Sequence, residues 1–364
     1  MKPVFLPRPA TECFATPGTR TTFAAVSTWQ TELQQTTRQW LRAGGSIEKW
    51  FEDYRRLRLD ILHQNWRLIV PCDLRSKATF VLLGASARGE DTLTSDLDYA
   101  LLLSTQTPSD IDNLQPHLYR FSQAMATFGV SPCPGNVMAT NPRWIGTTET
   151  WKERIDAYFQ YPSWENTRYL FMLVDSLPIN LEKFGDPSAS PNESAEIGVW
   201  NQLRQDVFDR ISHSSYLCWE MAHLGIEIPP AAAGRTGGWL SSKRFGQRPK
   251  SISMKTSLIN PIVHSLRLLA ITHNISSLST LDRLDALAAK QVLDRTLRQG
   301  VAQSLRWSWQ ARLHGGLTTP PNSANSGEFM LSSTANVHRE ELMTHLHTTR
   351  NLVRMVHRNF KKPR

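Results

Sequence analysis

Residues 84–103, GASARGEDTLTSDLDYALLL, constrain this chain more than any other stretch. A run of small side chains is followed by an Arg, a polar loop, two aspartates one residue apart, and then an unbroken aliphatic run. Side chains alternate across a strand, so Asp96 and Asp98 share one face while Leu97 and Tyr99 share the other. Two carboxylates held so close repel unless positive charge lies between them. A divalent cation is the simplest source, because Mg²⁺ is commonly held by one or two carboxylates together with substrate phosphates.

The residues upstream supply the phosphate half of the same idea. Phe80–Leu83 is a short apolar run with strand character, and Gly84, Ala85 and Ser86 follow with side chains small enough for backbone N–H groups to approach an anion. Arg88 adds a planar fork of donors suited to phosphate. Gly84-x-Ser86 also begins like the nucleophile elbow of serine hydrolases, but that strained turn needs a small residue where Arg88 stands.

A turn of this kind followed by D-x-D on a second strand resembles the nucleotidyltransferases of the DNA polymerase β superfamily. More narrowly, RGEDTLTSDLDYALLL is similar to a stretch of the PII uridylyltransferases and of their relatives, the signal-transduction nucleotidyltransferases often fused to CBS or cyclic-nucleotide-binding domains. Three further blocks resemble the second group: CPGNVMATNPRW at 133–144, FMLVDSLPINLEKFGD at 171–186 and ISMKTSLINPIVHSLRLLA at 252–270. The likeness runs from about residue 45 onward. Ala85 stands where that family usually has Ser or Gly, Leu177 replaces an Arg of the third block, and Ser253 replaces an Asp of the fourth.

The resemblance implies an α+β fold, a polymerase-β-like nucleotidyltransferase palm with a small mixed sheet, flanked by an N-terminal helical segment and a C-terminal helical domain. It implies transfer of a nucleoside monophosphate from an NTP to an acceptor hydroxyl with release of pyrophosphate. Mg²⁺ or Mn²⁺ would be held by Asp96, Asp98 and a third carboxylate matched to Asp175. Gly84, Ala85, Ser86, Arg88 and Lys255 would meet the nucleotide, with Arg244 and Arg267 as weaker basic candidates. Read by itself, Asp175 ends an apolar stretch, Phe171–Val174, that suits a neighbouring strand, or else it is a turn or cap residue. A protein acceptor is expected from the uridylyltransferase likeness; RNA, a small molecule, or an idle nucleotide-binding module are the alternatives. The H-D dipeptide on which the uridylyltransferases build a separate hydrolytic domain is absent.

Composition is that of an ordinary globular protein, with 40% hydrophobic and 20% charged residues over 364 positions, enough for two or three domains. The four cysteines lie far apart with no C-x-x-C pair, which speaks against a zinc site or a disulfide framework and for the cytoplasm. No stretch approaches the roughly 20 apolar residues of a membrane span, so no membrane partner is expected. His345 and His347, two apart on an expected helix, face different directions and read as surface or packing residues.

Charge is unevenly placed. Residues 235–364 hold 20 Lys and Arg against 6 Asp and Glu, a balance of +14, whereas residues 1–234 hold 21 against 26, a balance of −5. Such a basic region suits a triphosphate, an acidic protein surface or RNA.

Breakers and periodicity divide the chain into a loose arm (1–26), a helical segment (27–77), the catalytic domain (78–187) and a helical C-terminal domain (188–364). Helices are expected over 27–41, 47–68, 200–224, 255–273, 279–313 with a break near Lys290, and 336–360. Loops are expected at 185–193, 229–250 and 314–329. The apolar stripes Val292, Leu297, Val301, Leu305, Trp309 and Leu342, Leu346, Val353, Val356, Phe360 read as core.

Overall fold

Alternation of buried runs and helical stripes gives two compact units in the computed structural model, residues 1–161 with 169–207, and residues 162–168 with 208–364. The structure describes residues 23–104, 108–181, 195–223, 226, 251–318, 328–330 and 336–363. Most of the expected arm, the loops at 185–193 and 229–250, most of the loop at 314–329, and Arg244 lie outside these residues.

In the first unit, α1 (Phe23–Arg42) and α2 (Ile47–Ile69) lead through the short α3 (Cys72–Arg75) into β1 (Ala78–Leu83). Ser46 caps α2, accepting from the Lys49 amide. A single-turn helix, α4 (Gly84–Arg88), follows β1, and then come β2 (Tyr99–Leu103), α5 (Pro108–Thr127), β3 (Ile145–Thr147), α6 (Thr148–Gln160), α7 (Trp164–Val174), β4 (Ser176–Ile179) and α8 (Ala195–Ser212).

The four strands form one sheet in the order β3-β2-β1-β4, with β1 antiparallel to both neighbours and β2 parallel to β3. β1 and β2 are buried almost throughout, as strands covered on both faces must be. Phe80 stacks on Tyr99 with ring centroids 4.7 Å apart, and Trp66 of α2 and Phe121 of α5 meet that pair edge-on. Trp151 of α6 donates its indole N–H to the Leu101 carbonyl and packs against Trp200 of α8. Burying aromatics of this size contributes roughly 1.5–3 kcal/mol each, which fixes the sheet between its helices.

The second unit is helical: α9 (Ser215–His223), β5 (Ser251–Ser253), a π-helical turn (Lys255–Ile259), α10 (Asn260–Thr272), α11 (Thr280–Ala289), α12 (Arg295–Thr318), β6 (Glu328–Met330) and α13 (Asn336–Asn359). β5 and β6 pair antiparallel. Val301, Leu305 and Trp309 of α12 and Leu342, Leu346, Val353 and Val356 of α13 are buried, while Val292, Leu297 and Phe360 at the ends of the stripes are only half-buried. The break between α11 and α12 turns at Lys290 and Gln291, the latter left-handed at φ 59. Helix 200–224 is divided at residues 213–214, and α12 runs to Thr318, into the stretch expected as loop.

Candidate active site

Strand order places the sequence motif. β1 runs antiparallel to β2 and β4, so its end at Leu83–Gly84 lies beside the starts of both neighbours. Leu83 donates its amide to the Asp98 carbonyl and Gly84 donates to the Asp175 carbonyl, each at 3.0 Å. Asp98, Gly84 and Asp175 therefore line up along one edge of the sheet. Gly84 is required there: its φ of +55 is left-handed, and a Cβ would come within 3.1 Å of the Asp98 carboxylate.

The small-residue stretch forms α4, ended by Gly89 in the left-handed conformation at φ 72. The first-turn amides of a helix lack partners within it; that of Gly84 is taken by the Asp175 carbonyl, which leaves Ala85 to present its N–H at the sheet edge. Ser86 turns inward instead, buried, with its hydroxyl donated to Asp91 at 3.1 Å. Asp96 and Asp98 lie in the extended lead into β2 rather than within it, with Leu97 bridged to Pro132. Both aspartates are half-buried.

Arg88 departs most from the expectation raised by its residue type. Its guanidinium donates to Glu90 and to Asp175 at 2.7 Å each and is 9% exposed, so both of its sides are taken by carboxylates rather than turned to an incoming phosphate. Burial disfavours its charge, yet Glu90 first and Asp175 next hold its pKa above the ordinary value. Asp175 is fully buried. Phe171–Val174 is the last turn of α7 and not a strand, and the neighbouring strand begins one residue after Asp175.

Two contributions were not anticipated from the sequence. Arg58 of α2, 3% exposed, donates to the carbonyls of Ser95 at 3.1 Å and Asp96 at 3.2 Å, and pairs with Asp91 at 3.5 Å. A helix outside the sheet thus sets the shape of the loop that carries the aspartates. The signal was there: Arg58 falls four residues after Tyr54 and three before Ile61, on the buried stripe of α2.

Cys133 is the second. The segment 132–137 runs alongside 97–99, bridged at Leu97–Pro132 and at Tyr99 N–H to the Val137 carbonyl, and the residues between turn out of the pairing. Pro134 pre-sets that turn, Asn136 donates its amide back to the Cys133 carbonyl, and Asn136 is left-handed at φ 53. Ligand atoms of Asp96, Asp98 and Cys133 come within 4.8 Å of one another, and among the described residues no other such cluster of metal-ligating side chains occurs. Burial first, and the Asp98 carboxylate next, push the Cys133 thiol up to about 12. Two carboxylates and a sulfur within reach of one point make a donor set that fits a divalent cation.

The remaining basic candidates belong to the second unit. Lys255 is exposed at the start of the π-helical turn, and Arg267 is buried within α10. Ser253, where the family has Asp, accepts from the Thr256 amide.

Comparison with known families agrees with this geometry. Residues 31–165 match the family described as "Putative nucleotidyltransferase DUF294", and residues 218–360 match its companion, described as "Putative nucleotidyltransferase substrate binding domain". The chain belongs to this nucleotidyltransferase family. The small mixed sheet among helices is its polymerase-β-like fold, and nucleotidyl transfer from an NTP is its general chemistry. The first match takes in the α4 turn, both aspartates, Arg58 and Cys133; Asp175 lies between the two matched regions. No curated protein matches the chain. Among the described residues no helix is long and apolar enough to cross a membrane.

Proposed function

We propose that the protein is a metal-dependent nucleotidyltransferase that moves a nucleoside monophosphate from an NTP to an acceptor hydroxyl, on a protein, and releases pyrophosphate. One observation carries the reading: the ends of three adjacent strands put Asp98, Gly84 and Asp175 along one sheet edge, with Asp96 beside them. Asp96 and Asp98 would hold Mg²⁺ or Mn²⁺, and such an ion, when bound, neutralises phosphate oxygens and polarises the α-phosphorus.

The chain's own residues do the rest. The Ala85 amide receives a phosphate oxygen at the edge, Gly84 lets the phosphate approach closely because it carries no Cβ, and Ser86 shapes the turn from inside through Asp91. Asp175 is the proposed third carboxylate, and Arg88 fixes its position through the 2.7 Å ion pair. Lys255, exposed at the start of the π-helical turn, is proposed as a triphosphate ligand, and the +14 balance of residues 235–364 suits an acidic acceptor. Cys72, Cys133 and Cys218 are free thiols, which agrees with work in the reducing cytoplasm. The domain division proposed from the sequence, with catalysis in 78–187 and a helical C-terminal domain over 188–364, accompanies this reading.

The test is incubation with each of four labelled ribonucleoside triphosphates and Mg²⁺ or Mn²⁺ in a lysate of the source cells, with labelled protein separated from labelled RNA. Label on protein that disappears in Asp96→Asn and Asp98→Asn supports the reading. Label retained by both variants refutes it, and label on RNA transfers the acceptor to the second class.

A further inference from the structure

The carboxylate predicted to complete the aspartate pair is not the group that converges on it. Asp175 is buried against Arg88, whereas the Cys133 sulfur lies within 4.8 Å of the ligand oxygens of both Asp96 and Asp98. On its other side the sulfur accepts a 3.3 Å hydrogen bond from the Gly135 amide. That hydrogen bond fixes where the sulfur sits relative to the two carboxylates. The position is also fixed from two directions, since the bridge at Leu97–Pro132 sets the strand lead and the Pro134 turn sets the loop.

We propose that Cys133 is the third protein ligand of the metal position formed by Asp96 and Asp98, and that this position holds a borderline or soft divalent cation, of the Zn²⁺ and Cd²⁺ class, more tightly than Mg²⁺. The inference rests on reading the two aspartates as metal carboxylates. On binding, the metal–sulfur bond forms as the thiol proton leaves to buffer, one proton per ion, and no electrons change hands. Mg²⁺ is a hard ion that prefers oxygen and gains little from the sulfur, whereas thiolate binding is strong for Zn²⁺ and its softer neighbours. Zn²⁺ therefore competes with Mg²⁺ for the site and inhibits a Mg²⁺-supported reaction.

The probe is Cd²⁺ alone, titrated into the full-length, metal-free protein while thiolate-to-Cd²⁺ charge-transfer absorption and proton release are followed. The wild type should show one such band per chain. A variant with Cys13, Cys72 and Cys218 all changed to Ser should keep it, and Cys133→Ser should lose it and bind Cd²⁺ at least about 10-fold more weakly, since even an outer partner of a metal ligand is worth about 10–100-fold. Adding Asp98→Asn to the triple-Ser variant should also abolish the band, which decides the matter if Cys133→Ser does not fold. A band that survives Cys133→Ser, or one that ignores Asp98→Asn, overturns the proposal. Its fate is separate from that of the enzymatic reading: Mg²⁺-supported transfer without a Cd²⁺ band sinks only the sulfur ligand, and a Cd²⁺ band without transfer sinks only the activity.

Discussion

Arg88 and Asp175 stand 87 residues apart in sequence and 2.7 Å apart in space, both shielded from water. Removing one member of such a pair leaves an uncompensated buried charge, which costs about 3–5 kcal/mol, more than the pair adds relative to an apolar replacement. Arg88→Ala should lower stability by about that amount in a denaturant titration, because Glu90 and Asp175 both lose their ion pair with it. Arg88→Lys should recover only part of it, since an ammonium cannot serve two carboxylates with a planar fork. Asp175→Asn keeps the size and removes the charge. If Asp175 acts in the transition state, that variant should bind nucleotide nearly as the wild type does and lose single-turnover rate by 10²-fold or more, the range usual for a positioned proton acceptor. A near wild-type rate would remove Asp175 from the chemistry and leave it as a structural partner of Arg88.

At the scale of elements, the loop 90–98 is held from outside the sheet. Arg58→Met removes donors to Ser95 and Asp96 and the ion pair with Asp91, so both the metal affinity and the thermal midpoint should fall, whereas Arg58→Lys should restore stability more than metal affinity. Metal titration alongside calorimetry checks this. In the second unit, burial lowers the pKa of His345 on α13, which hydrogen-bonds Ser304 and lies near Trp307 and Glu341. Burial, and then the stacked His223, likewise lower that of His357. Each binds a proton less readily folded than unfolded, so stability should be lost as pH falls below the unfolded value of about 6.5 toward the folded one. A His345→Gln, His357→Gln double variant should flatten that slope in denaturation curves at several pH values. The same elements show what a sequence can convey. The aspartate pair was legible because a period of two and a small-residue turn are local signals. Asp175 was placed after a strand because Phe171–Val174 is four apolar residues long, a length at which strand and helix look alike. The deciding pattern was wider: Thr167, Leu170, Phe171 and Val174 are buried at the spacing of one helix face, with Leu173 buried beside them. The pairing of Arg88 with Asp175 and the approach of Cys133 to Asp98 have no local signature, since each depends on which strands become neighbours.

Over the whole molecule the two families of evidence, a site rich in carboxylates and a C-terminal region with a balance of +14, pose the question of the acceptor. Ionic strength separates the candidates. A protein with an acidic surface would be drawn to the basic region by a diffuse field, and screening it between about 0.05 and 0.2 M salt should raise the acceptor KM on the order of 10-fold, mostly through slower association. RNA would release condensed counterions with every phosphate contact, and six or more contacts would cost about 10³-fold or more over the same interval. The acceptor KM should therefore rise by the smaller amount, with a shallow slope against the logarithm of salt. Nucleotide affinity measured in the same buffers supplies the reference, because the triphosphate is also charged and its own screening must be subtracted. A residual slope near that of a multi-phosphate contact would reject the protein acceptor in favour of RNA. A residual slope of zero would remove the basic region from acceptor binding altogether and leave its charge without a part in recognition.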